Sequence, residues 1–208
     1  MVHRREINGQ EIVLGNQGAL WGNAMTWFDH DTGSVWSQPL GEAIAGPRKG
    51  ERLEILPVSL AQWSTWLSTH PDTLALDAPG MPSGGFRLDD MSIVVELEDD
   101  IVAFPIKDLR TVGIANDEVA GVPVAVVIDP NDDQRWSVYS RVLDDHTVDL
   151  AVEGSTIVDR NSGSHFDPRI GRAVDGPLEG QVLDLLPGFT SFPRDYLTFW
   201  PDGRVWRP

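Results

Sequence analysis

Residues 29–72 read DHDTGSVWSQPLGEAIAGPRKGERLEILPVSLAQWSTWLSTHPD, and residues 159–202 read DRNSGSHFDPRIGRAVDGPLEGQVLDLLPGFTSFPRDYLTFWPD. The two align without a gap at an offset of 130 (Asp29 on Asp159), and 14 of the 44 pairs are identical. Most identities are punctuation: Gly33 on Gly163, Gly41 on Gly171, Gly46-Pro47 on Gly176-Pro177, Leu56-Pro57 on Leu186-Pro187, Pro71-Asp72 on Pro201-Asp202. Glycine and proline answer local backbone demands, so keeping them at one offset means one backbone path walked twice. Apolar positions match where identity fails, as with Trp36 and Phe166 or Trp66 and Tyr196. The chain is therefore expected to contain a duplicated unit.

Outward from the repeat, short strands and turns dominate. Arg5 to Leu14 reads as a hairpin about Asn8-Gly9, the favoured pair for a tight primed turn. GNQGALWGN follows as a glycine-punctuated loop or bulged strand, and Ala24 to Phe28 as a strand. ERLEIL (51–56) alternates polar and apolar residues and predicts a strand with one wet face. Ser59 or Ser64 is the expected cap of a short helix through Trp63, Trp66 and Leu67. Further on, Met91 to Leu97 pairs with Ile101 to Phe104, and Pro105 opens a helical turn. Asn116 to Val119 pairs with Val122 to Asp129, whose VPVAVVID is the most buried-looking strand. Trp136 to Leu143 is expected to pair with Thr147 to Val152.

The expected class is α+β, strand-dominated, with duplicated antiparallel hairpin units each ending in a short helix. Residues 1–77 form the first unit, 78–90 a Gly/Pro-rich linker and 91–208 the second, packed as one globular domain. The first unit is incomplete: it has no equivalent of Met91 to about Asp133. Exposed strand edges in an incomplete unit call for a cover, either the second unit itself or a partner subunit, and the latter motivates an expectation of homodimerisation.

Composition narrows the function classes. Sixteen basic residues against 32 acidic ones leave a charge of −16, which opposes binding to nucleic acid or anionic lipid. Asp outnumbers Glu and Arg outnumbers Lys, a bias that suits a high-salt or high-GC host. No cysteine is present, so disulfides, thiolate metal sites and a Cys nucleophile are excluded. No apolar run approaches the roughly 18 residues of a spanning helix, so no membrane insertion is expected. The basic start MVHRREINGQE lacks the apolar stretch of a secretory signal, so as given it points to the cytoplasm.

Trp36-Ser37-Gln38 is the segment with most functional promise. An indole flanked by a hydroxyl and an amide, with Asn23 and Trp21 near in sequence, suits a small polar ligand. The second copy keeps an aromatic residue (Phe166) but replaces the polar pair with Asp167-Pro168. The aromatic position thus reads as structural and the polar pair as functional. Catalytic and metal sites are expected to be absent. No HxH or HExxH spacing occurs among the five histidines, no GxSxG or phosphate loop is present, and no cofactor is implied. A long-range set of His30, His165 and Asp167 would need the repeats to face each other. The acidic clusters, Asp129 to Asp133 among them, read as solvated hairpin tips.

LWGNAMTWFDHDTGSVWSQPLGEAIAGP (20–47), LEILP (53–57) and HPDT (70–73) together resemble the uncharacterised domain-of-unknown-function 3179 family of bacteria and archaea. VVELEDDIVAFPIKDL (94–109) and NDEVAGVPVAVVIDP (116–130) resemble that family's second half, so the likeness spans nearly the whole chain. It implies a strand upstream that ends in a Cys-Pro-x-x-Cys-like motif, often behind a signal or lipoprotein sequence. Here Asp129-Pro130-Asn131-Asp132 stands where the second unit would echo that motif. The resemblance thus implies either a start upstream of Met1, with an extracytoplasmic location, or a shortened relative without the cysteines. It supplies no reaction. Two functions are open: a non-catalytic binding or structural module, with Asn23, Trp36, Ser37 and Gln38 around a ligand, or an extracytoplasmic redox- or metal-linked enzyme with upstream cysteines.

Overall fold

A computed structural model describes residues 1–75 and 88–208, and most of the expected linker falls outside them. The fold is α+β and strand-dominated, with several antiparallel sheets and three short α-helices among the described residues. The chain starts with a small hairpin, Glu6–Ile7 with Gln10–Glu11. Asn8 and Gly9 at its tip both take positive φ, as a primed turn requires. A four-stranded antiparallel meander follows, in the order Leu14–Trp21, Ala24–Asp29, Val35–Ser37, Glu42–Ala45. Its first strand is bulged between Asn16 and Leu20. A helix, Trp63–Thr69, closes this part.

The middle of the chain builds the main core. Ser92–Leu97 and Asp100–Pro105 form a hairpin, and Pro105 starts the helix Ile106–Val112. Ile114–Val119, Val122–Asp129 and Asp132–Ser140 form a three-stranded antiparallel sheet. Both faces of its central strand are buried, which explains the unbroken apolar run VAVVI. Val124 and Val126 pack with Ile93, Val95, Phe104 and Trp136 on one side. Ala125 and Val127 pack with Tyr139, Ile157 and Phe166 on the other. A second hairpin, meander (Leu150–Glu153, Thr156–Asp159, His165–Asp167, Arg172–Ala173) and helix (Pro193–Phe199) complete the chain. The last strand, Arg204–Val205, runs parallel to Asp100–Pro105, a pairing the sequence reading did not anticipate.

The same hydrogen bonds recur at the repeat offset. Ala43 N donates to Glu51 O (3.0 Å) and Ala173 N to Gln181 O (2.8 Å). Leu53 N donates to Gly41 O (2.8 Å) and Leu183 N to Gly171 O (2.9 Å). Ser34 and Ser164, both buried, each accept a backbone N–H on Oγ at 3.0 Å, from Arg48 and Leu178. A further correspondence lies upstream at an offset of 136 (Leu14 on Leu150), because the first hairpin of the meander is longer. Leu14 faces Asp29 in one unit and Leu150 faces Asp159 in the other. Ile12 N to Arg5 O (2.9 Å) thus matches Val148 N to Arg141 O (2.8 Å). The cluster Ile7, Ile12, Leu14, Trp27, Trp36, Ala43 and Leu53 has its counterpart, residue for residue, in Leu143, Val148, Leu150, Ile157, Phe166, Ala173 and Leu183.

Three local expectations are corrected. Residues 51–56 form no regular strand, because Arg52 bridges to Glu42 while Ile55 bridges to His3, two different partners. The helix Trp63–Thr69 has Gln62 at its N-cap with no side-chain bond, so neither Ser59 nor Ser64 caps it. The strand expected from Trp136 to Leu143 divides near Arg141, and only Val142–Leu143 pairs with His146–Thr147. Asp132–Ser140 pairs instead with Val122–Asp129. The Arg141 guanidinium marks the division by donating to the carbonyls of Val124 (3.2 Å) and Val148 (2.8 Å).

Residues before 75 pack directly on residues after 88. Met1 and Ile55 pack against Val94, Ala103, Phe189 and Tyr196, and Leu60 exchanges backbone bonds with Trp136. Arg52 reaches Glu96 at 3.6 Å, while Glu96 Oε2 is buried without a partner among the described residues. Burial pushes the Glu96 carboxyl above its ordinary pKa, and the Arg52 charge only partly offsets this. A raised folded-state pKa stabilises the fold at low pH, and that stability is lost as pH rises through it. Glu96→Gln is therefore expected to melt at a higher temperature than the native protein at about pH 7, with the advantage shrinking towards about pH 4. Thermal melts at the two pH values check this, and an equal gain at both would point to packing instead.

Candidate functional site

Asn23 and Gln38 meet at one cavity. Asn23 sits at positive φ (66°) beside Gly22, where the chain reverses between Leu14–Trp21 and Ala24–Asp29. Gln38 directly follows the strand Val35–Ser37, held by its N–H to Met25 O (3.1 Å). His3 Nε2 donates to Gln38 O at 2.9 Å, which leaves His3 Nδ1 buried without a partner among the described residues. Burial holds the His3 imidazole below its ordinary pKa, consistent with a neutral ring. The cavity measures about 300 Å³, and its other walls include Met1, Met91, Phe189 and Asp195. The side-chain amides of Asn23 and Gln38 make no hydrogen bond to any described residue.

Trp36 and Ser37 are not among the residues that line this cavity. Trp36 is fully buried, and its indole N–H donates to Asp29 Oδ2 at 3.0 Å. Burial pushes the Asp29 carboxyl up, but bonds from Trp36 and Thr32 and the Arg48 charge outweigh it, leaving the pKa below its ordinary value. Ser37 is buried too, and its Oγ meets no partner among the described residues.

A second cavity, of about 370 Å³, is lined in part by residues at the 130-residue offset from the first. Ser155, Pro168 and Arg169 line it where Met25, Gln38 and Pro39 line the first. Thr65, from the helix Trp63–Thr69, lines this second cavity, and Asp195, 130 residues on, lines the first. The chemistry differs. Asp129, Asp132, Asp167 and Arg169 make the second cavity charged. Arg169 grips Asp167 through Nη2 (2.5 Å) and Nε (2.9 Å), which holds the Asp167 carboxyl below its ordinary pKa against the opposing effect of burial. Asp129 and Asp132 correct an expectation: they are only 3% and 6% exposed, not solvated tips. Each folds back on its own turn, Asp129 Oδ1 accepting Asn131 N (2.9 Å) and Asp132 Oδ1 accepting Gln134 N (3.1 Å).

His30 and His165 are not brought together on one site. His30 packs on Phe28 with centroids 4.8 Å apart, and His165 Nδ1 lies 2.9 Å from Asp175. Among the described residues no group of three or more His, Asp or Glu is arranged to hold a metal ion. No helix among them is long and apolar enough to cross a membrane.

Fold and cavities together define a strand-rich α+β protein with several small cavities. The chain belongs to the family described as "Protein of unknown function (DUF3179)", whose model matches residues 1–87 and 75–207. Neither the curated proteins nor the solved structures include a match.

Proposed function

We propose that this protein is a non-catalytic binding module that takes a small polar ligand in the cavity of Asn23 and Gln38. The observation that carries this reading is the convergence, on a cavity with apolar walls, of two side-chain amides that make no hydrogen bond among the described residues. Pockets for small molecules are commonly apolar with a few placed polar groups that fix orientation. An amide offers both donors and an acceptor, which suits an uncharged ligand with hydroxyl or amide groups. Asp195 supplies a carboxylate in its wall. We further infer that the two hairpin-meander-helix units are copies of one ancestral unit, the recurring hydrogen bonds and matched clusters being its support. On that reading, each copy lends its helix to the other's cavity, and the copies have since diverged in wall chemistry.

The test is a thermal-shift screen of small sugars, amides and amino acids, run on the native protein and on Gln38→Ala. Gln38 is half-buried and its amide is unbonded, so the variant is expected to keep native stability to within about 0.5 kcal/mol. Binding of any hit is expected to weaken by about tenfold, the effect of one lost ligand hydrogen bond. A loss of stability above about 1 kcal/mol would make Gln38 a packing residue and remove the support for this site.

A further inference from the structure

The two four-stranded meanders treat their outer strands differently. Each begins with an edge strand, Leu14–Trp21 in one and Leu150–Glu153 in the other. Leu14 faces Asp29, and Leu150 faces Asp159. Asp29 donates its N–H to Ser34 O (3.0 Å) and accepts Gly33 N on its carbonyl (3.0 Å), both on the far side of its strand. Asp159 does the same with Ser164 and Gly163. Leu14 and Leu150 therefore turn both backbone groups off the sheet, as members of a non-hydrogen-bonded pair must. At Leu150 those groups are met from within the chain. Asn116, on the strand Ile114–Val119, donates Nδ2 to Leu150 O at 2.7 Å and accepts Leu150 N on Oδ1 at 3.3 Å. Gly113 backs the same edge, so near that an added Cβ would lie 2.5 Å from Val152 Cγ2. At Leu14 no described residue takes this part.

Free edges are ordinarily blunted by charge, proline or a bulge. This one has a bulge, between Asn16 and Leu20, but neither charge nor proline. Ile12 to Phe28 is a run of 17 uncharged residues in a chain of −16. Leu20 (70%) and Trp21 (46%) stand exposed at its end.

We propose that a second copy of this chain docks here, edge against edge about a twofold axis. Charge selects this occupant. A twofold sets each edge against an identical one, so an acid near the axis would face an acid. A strand free of charge is what such pairing requires. A foreign partner of so acidic a protein is drawn by its own basic groups to acids, and this edge offers none. Across the axis the outward groups of Leu14 gain backbone partners, and Leu20 and Trp21 lose exposed apolar surface. Neither Leu20 nor Trp21 lines the cavity of Asn23 and Gln38, so the ligand site and this interface stand or fall separately.

Sedimentation velocity on the full chain tests this at about 0.5 M salt, which screens repulsion between two acidic copies. A dimer that dissociates on dilution is expected. Leu20→Glu is expected to raise its dissociation constant at least tenfold, while the dilute monomer melts as the native one does, since Leu20 is exposed. Ile170→Glu, an exposed apolar position away from this edge, is expected to change nothing. Hydrogen exchange needs no variant: the Leu14 N–H is expected to slow as the concentration of native protein rises. A native chain that stays monomeric would overturn the proposal. So would a dimer that Leu20→Glu leaves intact, one that Ile170→Glu disrupts equally, or a Leu14 N–H indifferent to concentration.

Discussion

Trp36→Ala is expected to destabilise the protein by about 3–5 kcal/mol, a large share of the roughly 5–15 kcal/mol that holds a domain together. Trp36 is fully buried in a satellite core with Ile7, Ile12, Ala43 and Leu53. No other aromatic in that cluster is fully buried, so little can collapse into the space an indole leaves. The loss is also electrostatic. Asp29 is fully buried, and the indole N–H at 3.0 Å is one of the bonds that keep its carboxyl ionised. Trp36→Phe separates the two effects, because the second unit carries Phe166 at this position. There Asp159 takes the backbone N–H of Asp149 (2.8 Å) and those of Asn161 and Ser162 instead. Asp29 receives no such bond from Val13, so the phenylalanine variant leaves it short of a donor. A cost of about 1–3 kcal/mol is expected for Trp36→Phe at neutral pH. Asp29's depressed pKa stabilises the fold above its ordinary value of 3.8 and ceases to as pH falls through the folded value. The penalty of Trp36→Phe is therefore expected to shrink on acidification. Urea melts at neutral and acidic pH measure both, and a neutral Trp36→Phe would remove the indole from Asp29's support.

Gly176→Ala is expected to cost about 3 kcal/mol or more. Gly176 has a φ of 78°, where an L side chain is strained by about 1–2 kcal/mol. An added Cβ would also lie 2.8 Å from the Cα of Ser164 and 2.6 Å from its Oγ. Ser164 cannot step aside, being fully buried and accepting the Leu178 N–H on that same Oγ. Gly163→Ala is the control: φ is 75°, yet nothing lies within 4 Å of its Cβ. That variant is expected to cost about 1–2 kcal/mol, the backbone strain alone. Equal denaturation midpoints for the two variants would show that the close approach to Ser164 carries no energy. Gly46→Ala faces the same obstacle in Ser34, with its Cβ 2.7 Å from the Ser34 Cα, and should repeat the result.

These glycines also explain how far the sequence could be read. Gly33, Gly46 and their partners at 163 and 176 sit at positive φ, a demand met inside a few residues and therefore visible as identity. Strand dominance and the buried VAVVI strand were legible for the same reason, since alternation and apolar runs are local patterns. The correspondence upstream of residue 14 was not, because the longer hairpin between Leu14 and Asp29 shifts the register from 130 to 136. His3 and Tyr139 share a place there with no chemical likeness, each directing a side chain to the carbonyl of Gln38 or Pro168.

Family membership and the α+β, strand-rich class followed from residues close together in the chain. Hairpin neighbours followed too, as with Ser92–Leu97 on Asp100–Pro105 and Ile114–Val119 on Val122–Asp129, but pairings between distant segments did not. Residues 51–56 have the alternation of a strand, but their two bridges go to partners that no local pattern names. Nor was burial of Asp129 and Asp132 readable, because an acidic turn has the composition of a solvated tip. Thr65 and Asp167, remote in sequence, line the same cavity as this turn. Local backbone demands are written in the residues that meet them, whereas a cavity belongs to no single segment and exists once distant segments have packed.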